Sequence, residues 1–280
     1  MNGILLVNKE KNRTSRDIVN DIVHIFHTKK VGHTGTLDPL ATGVLVITLG
    51  KYTKLGDVLT STYKEYIATM KLGIKTDTLD ITGNILGEID VNISEEKIEQ
   101  VIASYKKTYL QEVPIYSAVK VNGKKLYEYA RNNEIVILPK KEVTIKKLEI
   151  LSIENNIIKF RCLVSKGTYI RSLIRDIASS LGTYGVMLDL IRTKQGDFNI
   201  DNTYSVEDIR NGNYKLLKVE EVLDVEVIDN YDSITKILNG VKIKFESEKE
   251  FLLFKEKGKE IALYRKVDEY YRMFLLLKED

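Results

Sequence analysis

The chain has 280 residues, 43% of them apolar and 30% charged, with a formal net charge of +3. That is enough for one sizeable core and a smaller second domain, and the net charge is too small to mark the whole protein as a polyanion binder. No apolar run reaches bilayer-spanning length, and the opening MNGILLVNKEKN does not read as a signal peptide. The single cysteine, Cys162, excludes an internal disulfide and fits a reducing cytoplasm.

Residues 3–8 read as an opening strand. Thr14 or Ser15 is placed to cap a helix with Asp17 in its first turn and Ile18, Val19, Ile22, Val23 and Phe26 at helical spacing. His24 and His27 lie three apart on that helix; without further ligands at metal spacing they read as surface or packing residues. Strands are expected at residues 44–48, 65–72, 144–150 and 157–164, with Cys162 packing inside the last. Ser94 begins a helix whose Glu95 and Glu96 suit the N-terminal dipole and whose Ile98, Val101, Ile102 and Tyr105 form one stripe. Another helix, 169–181, stops at Gly182. Strands and helices mix without a βαβ rhythm, so the expected class is α+β with a mixed, largely antiparallel sheet. A short helix at 233–238 precedes strand-like runs at 241–245, 251–254, 261–264 and 271–277, which read as a small β-barrel or sandwich. Two domains are therefore expected, 1–215 and 216–280.

The loop from Gly32 to Leu45, GHTGTLDPLATGVL, carries the strongest chemical signal. It holds one carboxylate, Asp38, among three glycines, with Pro39 directly after the acid. Glycine permits close approach of a ligand to the main chain, and proline fixes its own φ and keeps the preceding residue extended. The acid is thus presented in one direction, as a nucleophile requires. By composition alone the same loop reads more readily as a plain Asp-Pro turn. A phosphate loop is excluded, since no G-x-x-x-x-G-K-[ST] pattern occurs. Between Pro114 and Lys147 lie eight bases against three acids, with Tyr116, Tyr127 and Tyr129 interleaved. That pattern suits either a solvated face or a polyanion with stackable bases. Arg171, beside a helix start where a cation is disfavoured, hints at a charged partner.

Taken together, five collinear blocks resemble the TruB-type pseudouridine synthases of bacteria. They are Gly32–Leu45, Lys64–Ala68 with Leu72–Asp80, Tyr116–Lys120 with Gly123–Arg131, Ser165–Arg171 and Leu190–Phe198. The region 234–277 resembles, more weakly, the PUA-type RNA-binding barrel that follows the catalytic domain in that family. The resemblance implies an isomerase that converts the uridine at position 55 of the tRNA T loop to pseudouridine, with neither metal nor redox cofactor. Asp38 matches the nucleophile, by attack on ribose C1′, by attack on the pyrimidine ring, or through a glycal. Arg171 matches the arginine paired with it. Tyr66 matches the tyrosine that stacks on the target base and assists proton transfer, and His33 the histidine that fills the space left by the extruded nucleotide. Lys64 and Tyr169 fall in the matching blocks as RNA-contacting residues, while Leu190 and Arg192 match a motif lining the pocket. Lys9 has a structural role. Lys120, Lys124, Lys125 and Arg131 are expected to contact the phosphate backbone from an insert spanning about 114–147.

Three positions depart from the pattern: Asn12 stands where glycine is usual, Val113 where a second proline is common, and Ile191 where an arginine is frequent. Asn tolerates a left-handed backbone, so Asn12 can replace the glycine. The expected protein is a cytoplasmic monomer acting on tRNA without a membrane or an obligatory protein partner. Two alternatives remain: a non-catalytic protein that binds and refolds tRNA, and an RNA-guided pseudouridine synthase.

Overall fold

The computed structural model describes residues 1–60 and 63–278, so residues 61–62 and 279–280 of the two expected domains lie outside it. In chain order the strands are β1 (Gly3–Lys9), β2 (Val31–His33), β3 (Thr42–Leu49), β4 (Lys64–Leu72), β5 (Ile74–Thr76), β6 (Ile85–Glu88), β7 (Thr108–Glu112), β8 (Lys120–Val121), β9 (Lys124–Lys125), β10 (Lys140–Glu154), β11 (Ile157–Val164), β12 (Gly185–Gln195), β13 (Phe198–Asn199), β14 (Val225–Asp229), β15 (Phe251–Glu256), β16 (Lys259–Val267) and β17 (Tyr270–Leu276). The helices are α1 (Ser15–Ile25), α2 (Gly56–Thr60), α3 (Glu95–Ser104), α4 (Leu126–Arg131), α5 (Ile170–Ser180), α6 (Val206–Arg210), α7 (Val219–Val222) and α8 (Ile234–Leu238).

A nine-stranded sheet runs β1-β3-β12-β4-β11-β10-β7, with β2 on β3 and β13 on β12. Its pairs are antiparallel except β12 against β3. The apolar run in β3 is buried on both faces, which accounts for its lack of alternation. Val44 and Val46 face one cluster with Ile4, Leu6 and Tyr52, while Leu45, Ile47 and Leu49 face α1 and α6. At the other end of the sheet, α3 and α5 cover a third cluster that includes Tyr66, Ala68, Phe160, Cys162 and Leu190. Thr14 caps α1 through a capping box with Asp17, and Ser94 caps α3.

The carboxyl-terminal sheet differs from the barrel or sandwich expected. It is four strands in the order β14-β15-β16-β17, with β14 parallel to β15. Residues 241–245 form no strand; they meet the sheet through the Ile243–Tyr271 bridge, the Tyr264 hydroxyl donating to the Val241 carbonyl at 3.2 Å, and packing of Ile243 and Phe245. Strict alternation divides β15 between two cores: Phe251 and Leu253 pack with Ile4, Val44 and Tyr52, whereas Leu252 and Phe254 pack under α8. The small sheet therefore shares a core with the edge of the large one.

The long strand β12 was not evident in the sequence, yet it organises the site. Its Arg192 lies opposite both Tyr66 on β4 and Gly43 on β3. Gly43 has φ +102°, and a Cβ there would sit 2.2 Å from the carbonyl oxygen of Arg192. Replacing Gly43 with Ala should therefore cost at least about 2 kcal/mol of unfolding free energy, from left-handed strain and the clash together. Urea denaturation checks this; a loss under ~0.5 kcal/mol would mean that β3 and β12 have slack.

Candidate active site

Asp38 is held by pinning the residues on either side of it. Leu37, Leu40 and Ala41 are buried in the cluster that contains Tyr66. The Leu37 N–H donates to Ser15 Oγ at 2.9 Å, and Ser15 Oγ donates to the Leu37 carbonyl at 3.2 Å. The Pro39 carbonyl accepts from the Asn12 N–H at 2.8 Å and from Lys9 Nζ at 3.2 Å. Asn12 takes φ +64°, the left-handed conformation that its side chain tolerates. Lys9 Nζ also donates to the carbonyls of Glu10 and Arg13, so this fully buried ammonium ties the first strand's end to the loop. Burial lowers its pKa to about 8, opposed by the attraction of Asp38.

Against this loop stands Arg171, second residue of α5 and 5% exposed. Its Nε donates to Asp38 Oδ2 and its Nη2 to Oδ1, both at 2.9 Å. This two-pronged geometry fixes the plane of the carboxylate. Two further donors are used as well: Nη1 reaches the Thr78 carbonyl at 2.9 Å and Nη2 the Tyr116 carbonyl at 3.0 Å. Thr78 is presented by a turn wired around Asp80, whose Oδ1 accepts from the hydroxyls of Thr78 and Thr82. One guanidinium thus joins four segments distant in sequence. The Asp38 carboxyl stays about a third exposed, open to a substrate.

Tyr66, 7% exposed, lies on β4 directly opposite Arg192 of β12 and packs in the cluster that holds Leu37 and Leu40. Burial raises its phenol above the ordinary value, and Arg192 opposes the rise. Leu190 is buried in the same cluster. His33, half-buried on β2, accepts the Gly35 N–H on Nδ1 at 3.3 Å. Its pKa is lowered by burial and then by Arg192 and Arg16, which favours the neutral ring. Lys64 is 7% exposed, and its pKa falls to about 8 through burial, with Arg192 and Lys166 adding repulsion. Tyr169 caps α5 and donates its N–H to Gln111 Oε1 at 2.8 Å.

Arg192, expected in a motif that lines the pocket, turns its side chain inward. It is fully buried, with Nε donating to the Val44 carbonyl at 2.7 Å and Nη2 to the Gly35 carbonyl at 3.0 Å. Its side chain is consumed inside the protein because β12 runs beneath the loop. Lys120, Lys124, Lys125 and Arg131 lie on the β8–β9 hairpin and α4. Lys124 pairs with Glu134 and lies over Tyr129, while Lys125 and Arg131 both lie over Tyr127. The hairpin joins the site through the Tyr116 carbonyl. Lys140 onward belongs to β10, a strand of the large sheet. Sequence reasoning missed Ser15 and the two carbonyls that Arg171 grips; a main-chain acceptor leaves no residue-type signal. Among the described residues, no group of three or more His, Cys, Asp or Glu is assembled to hold a metal, and no helix is long and apolar enough to cross a membrane.

The mixed sheet with this carboxylate–guanidinium pair has the pseudouridine synthase fold. A model of the TruB family pseudouridylate synthase amino-terminal domain matches residues 23–170. Among curated relatives, a protein of Mesoplasma florum named tRNA pseudouridine synthase B is 40% identical over 94% of this chain and 93% of its own. One of Clostridium tetani with the same name is 39% identical over 99% of this chain and 100% of its own. The chain belongs to the TruB family of pseudouridylate synthases. In backbone it is also similar to a chain of a Cbf5-Nop10-Gar1 complex, with TM-score 0.71 and 22% identity over 99% of this chain and 84% of that one.

The lowered pKa of Lys64 has a consequence for stability. Between about 8 and the ordinary 10.5, the unfolded chain binds this proton more tightly than the folded one, so stability contributed by Lys64 rises with pH across that window. Denaturation of wild type and Lys64→Met from about pH 7.5 to 9.5 should show the difference shifting in favour of wild type. A difference that does not change with pH would place the ammonium in water.

Proposed function

We propose that this protein is a tRNA pseudouridine synthase that isomerises the uridine at position 55 of the T loop. The carrying observation is the Asp38 carboxylate, held in plane by buried Arg171 yet open on its other side, beside Tyr66. The printed names of the relatives support the tRNA substrate. In this reading the N1–C1′ bond breaks, the base turns, and C5 rejoins C1′. Asp38 acts as nucleophile, and an ionised carboxylate is the form that does so. Its fixed plane limits the motion lost on reaction.

The target base must first leave the T loop. Extrusion costs a few kcal/mol, and stacking returns about 1–3 kcal/mol per base. Tyr66 supplies a ring for the base, and His33, favoured neutral, fills the vacated space without importing charge. Loops of RNA suit this recognition because their bases are already partly unstacked. Lys120, Lys124, Lys125 and Arg131 contact the phosphate backbone, with Lys64 and Tyr169 nearer the target nucleotide. The segment 216–280 serves as a short PUA-like RNA-binding domain. The protein works in the cytoplasm as a monomer without an obligatory protein partner.

Tritium release from a transcript labelled at uridine C5 tests the reaction, because rejoining through C5 expels that hydrogen. Wild type should release one equivalent per tRNA. Asp38→Asn should lower the rate by at least about a thousandfold, with affinity nearly unchanged because phosphate contacts dominate binding. Clear tRNA binding without release from wild type would favour a binding or refolding role. Changing Lys124 and Lys125 to Ala should weaken binding and reduce its log–log salt slope by roughly one to two. An unchanged slope would place the hairpin away from the RNA.

A further inference from the structure

Strand β7, at the edge of the large sheet, carries its side chains in the reverse of the stabilising order. Leu110 is 65% exposed, while the next residue, Gln111, is 1% exposed. A buried amide is costly unless both its ends are bonded, so folding alone would be served as well by an apolar residue at 111. Gln111 meets that cost with two bonds. Its Oε1 accepts the Tyr169 N–H at 2.8 Å, and its Nε2 donates to the Tyr109 hydroxyl oxygen at 2.8 Å. A backbone N–H can only donate, so the amide has one possible orientation. The Tyr109 proton is then left for Asp176 Oδ2, at 3.2 Å.

Tyr169 is the N-cap residue of α5, and its side chain makes no capping bond. The start of this helix is instead held from β7. Besides Gln111 on Tyr169, Ser172 Oγ donates to the Glu112 carbonyl at 2.8 Å and Arg175 Nη1 to Glu112 Oε1 at 3.0 Å. Residues 169, 172 and 175 recur at every third position and so share one side of the helix. Arg171 lies between the first two, and its guanidinium must meet both Asp38 oxygens at 2.9 Å. Beyond Glu112 the chain runs on to Tyr116, whose carbonyl accepts from the same guanidinium. We infer, on the isomerase reading, that Gln111 is a positioning residue for the reaction: through the Tyr169 N–H it fixes the start of α5, and with it the seat of Arg171 against the Asp38 carboxylate. Gln111 acts through Arg171 and holds no reacting atom itself. A misplacement of about 1 Å in a catalytic group can cost roughly a hundredfold in rate, and loss of one hold among several costs less. Tyr109 and Asp176 belong to the same network but engage α5 a turn further on.

The test is single-turnover tritium release, with tRNA affinity and urea denaturation measured alongside. Q111L should lower the rate about tenfold while affinity stays within about twofold of wild type. Y109F removes the bonds from Tyr109 to Gln111 and Asp176 but spares the Tyr169 N–H. It should lose stability yet keep its rate within about twofold. Rates that fall in step with stability across both variants would overturn the inference and make Gln111 a support of the fold alone. So would a Q111L rate within about twofold of wild type. If Q111L fails to fold, an ester in place of the peptide bond between Thr168 and Tyr169 removes that one N–H from the otherwise unaltered protein. It should reproduce the tenfold loss at unchanged affinity, and a rate like that of wild type would again overturn the inference. Wild type that binds tRNA without releasing tritium would instead defeat the isomerase reading itself.

Discussion

The site depends on one buried guanidinium. Arg171 occupies the first turn of α5, where the helix dipole disfavours a cation, and the structure answers with one carboxylate and two carbonyls. Those acceptors come from the Asp38 loop, the turn after β5 and the segment before the β8–β9 hairpin. Removing any one would leave a buried donor unpaired, so each segment is held by the same constraint. The catalytic loop and the basic hairpin are thereby coupled through a single side chain.

Around this pair the protein invests in rigidity from several directions. Ser15 and Lys9 hold the residues flanking Asp38 from one side, and Arg192 grips Gly35 and Val44 from the other. The result is a carboxylate whose supports are almost entirely main-chain hydrogen bonds to buried side chains. Such supports carry no freedom to reorient, which suits a reaction whose intermediate must be turned and rejoined in place. The basic hairpin is the opposite case. Its lysines pair with Glu134 and tyrosine rings at the surface, contacts weak enough to be exchanged for phosphates.

Much of this was legible in the residues. The caps at Thr14 and Ser94, the stop at Gly182 and the left-handed Asn12 are local, and local chemistry was sufficient to place them. Arg171 announced a missing partner by its position against a helix dipole. Less legible was β12, whose side chains alternate irregularly because it is crossed by two register shifts and buried on both sides. For the same reason the burial of Arg192 is not legible: an arginine in a strand gives no sign of whether its charge points to solvent or inward. Three of the four expected carboxyl-terminal strands are present, whereas the one at 241–245 is not, and neither the parallel partner β14 nor the shared core is legible, since pairing between distant segments depends on which faces meet.

The sequence by itself determined the local elements, the family, and the chemistry of the loop, because glycine, proline and a lone carboxylate act through short-range backbone constraints. Only the tertiary structure decided which charges meet. It joined Asp38 to Arg171 across 133 residues and buried Arg192 on the strand opposite Tyr66. Electrostatic partnership depends on distance in space and on the exclusion of water, and neither is written in the order of residues along a chain.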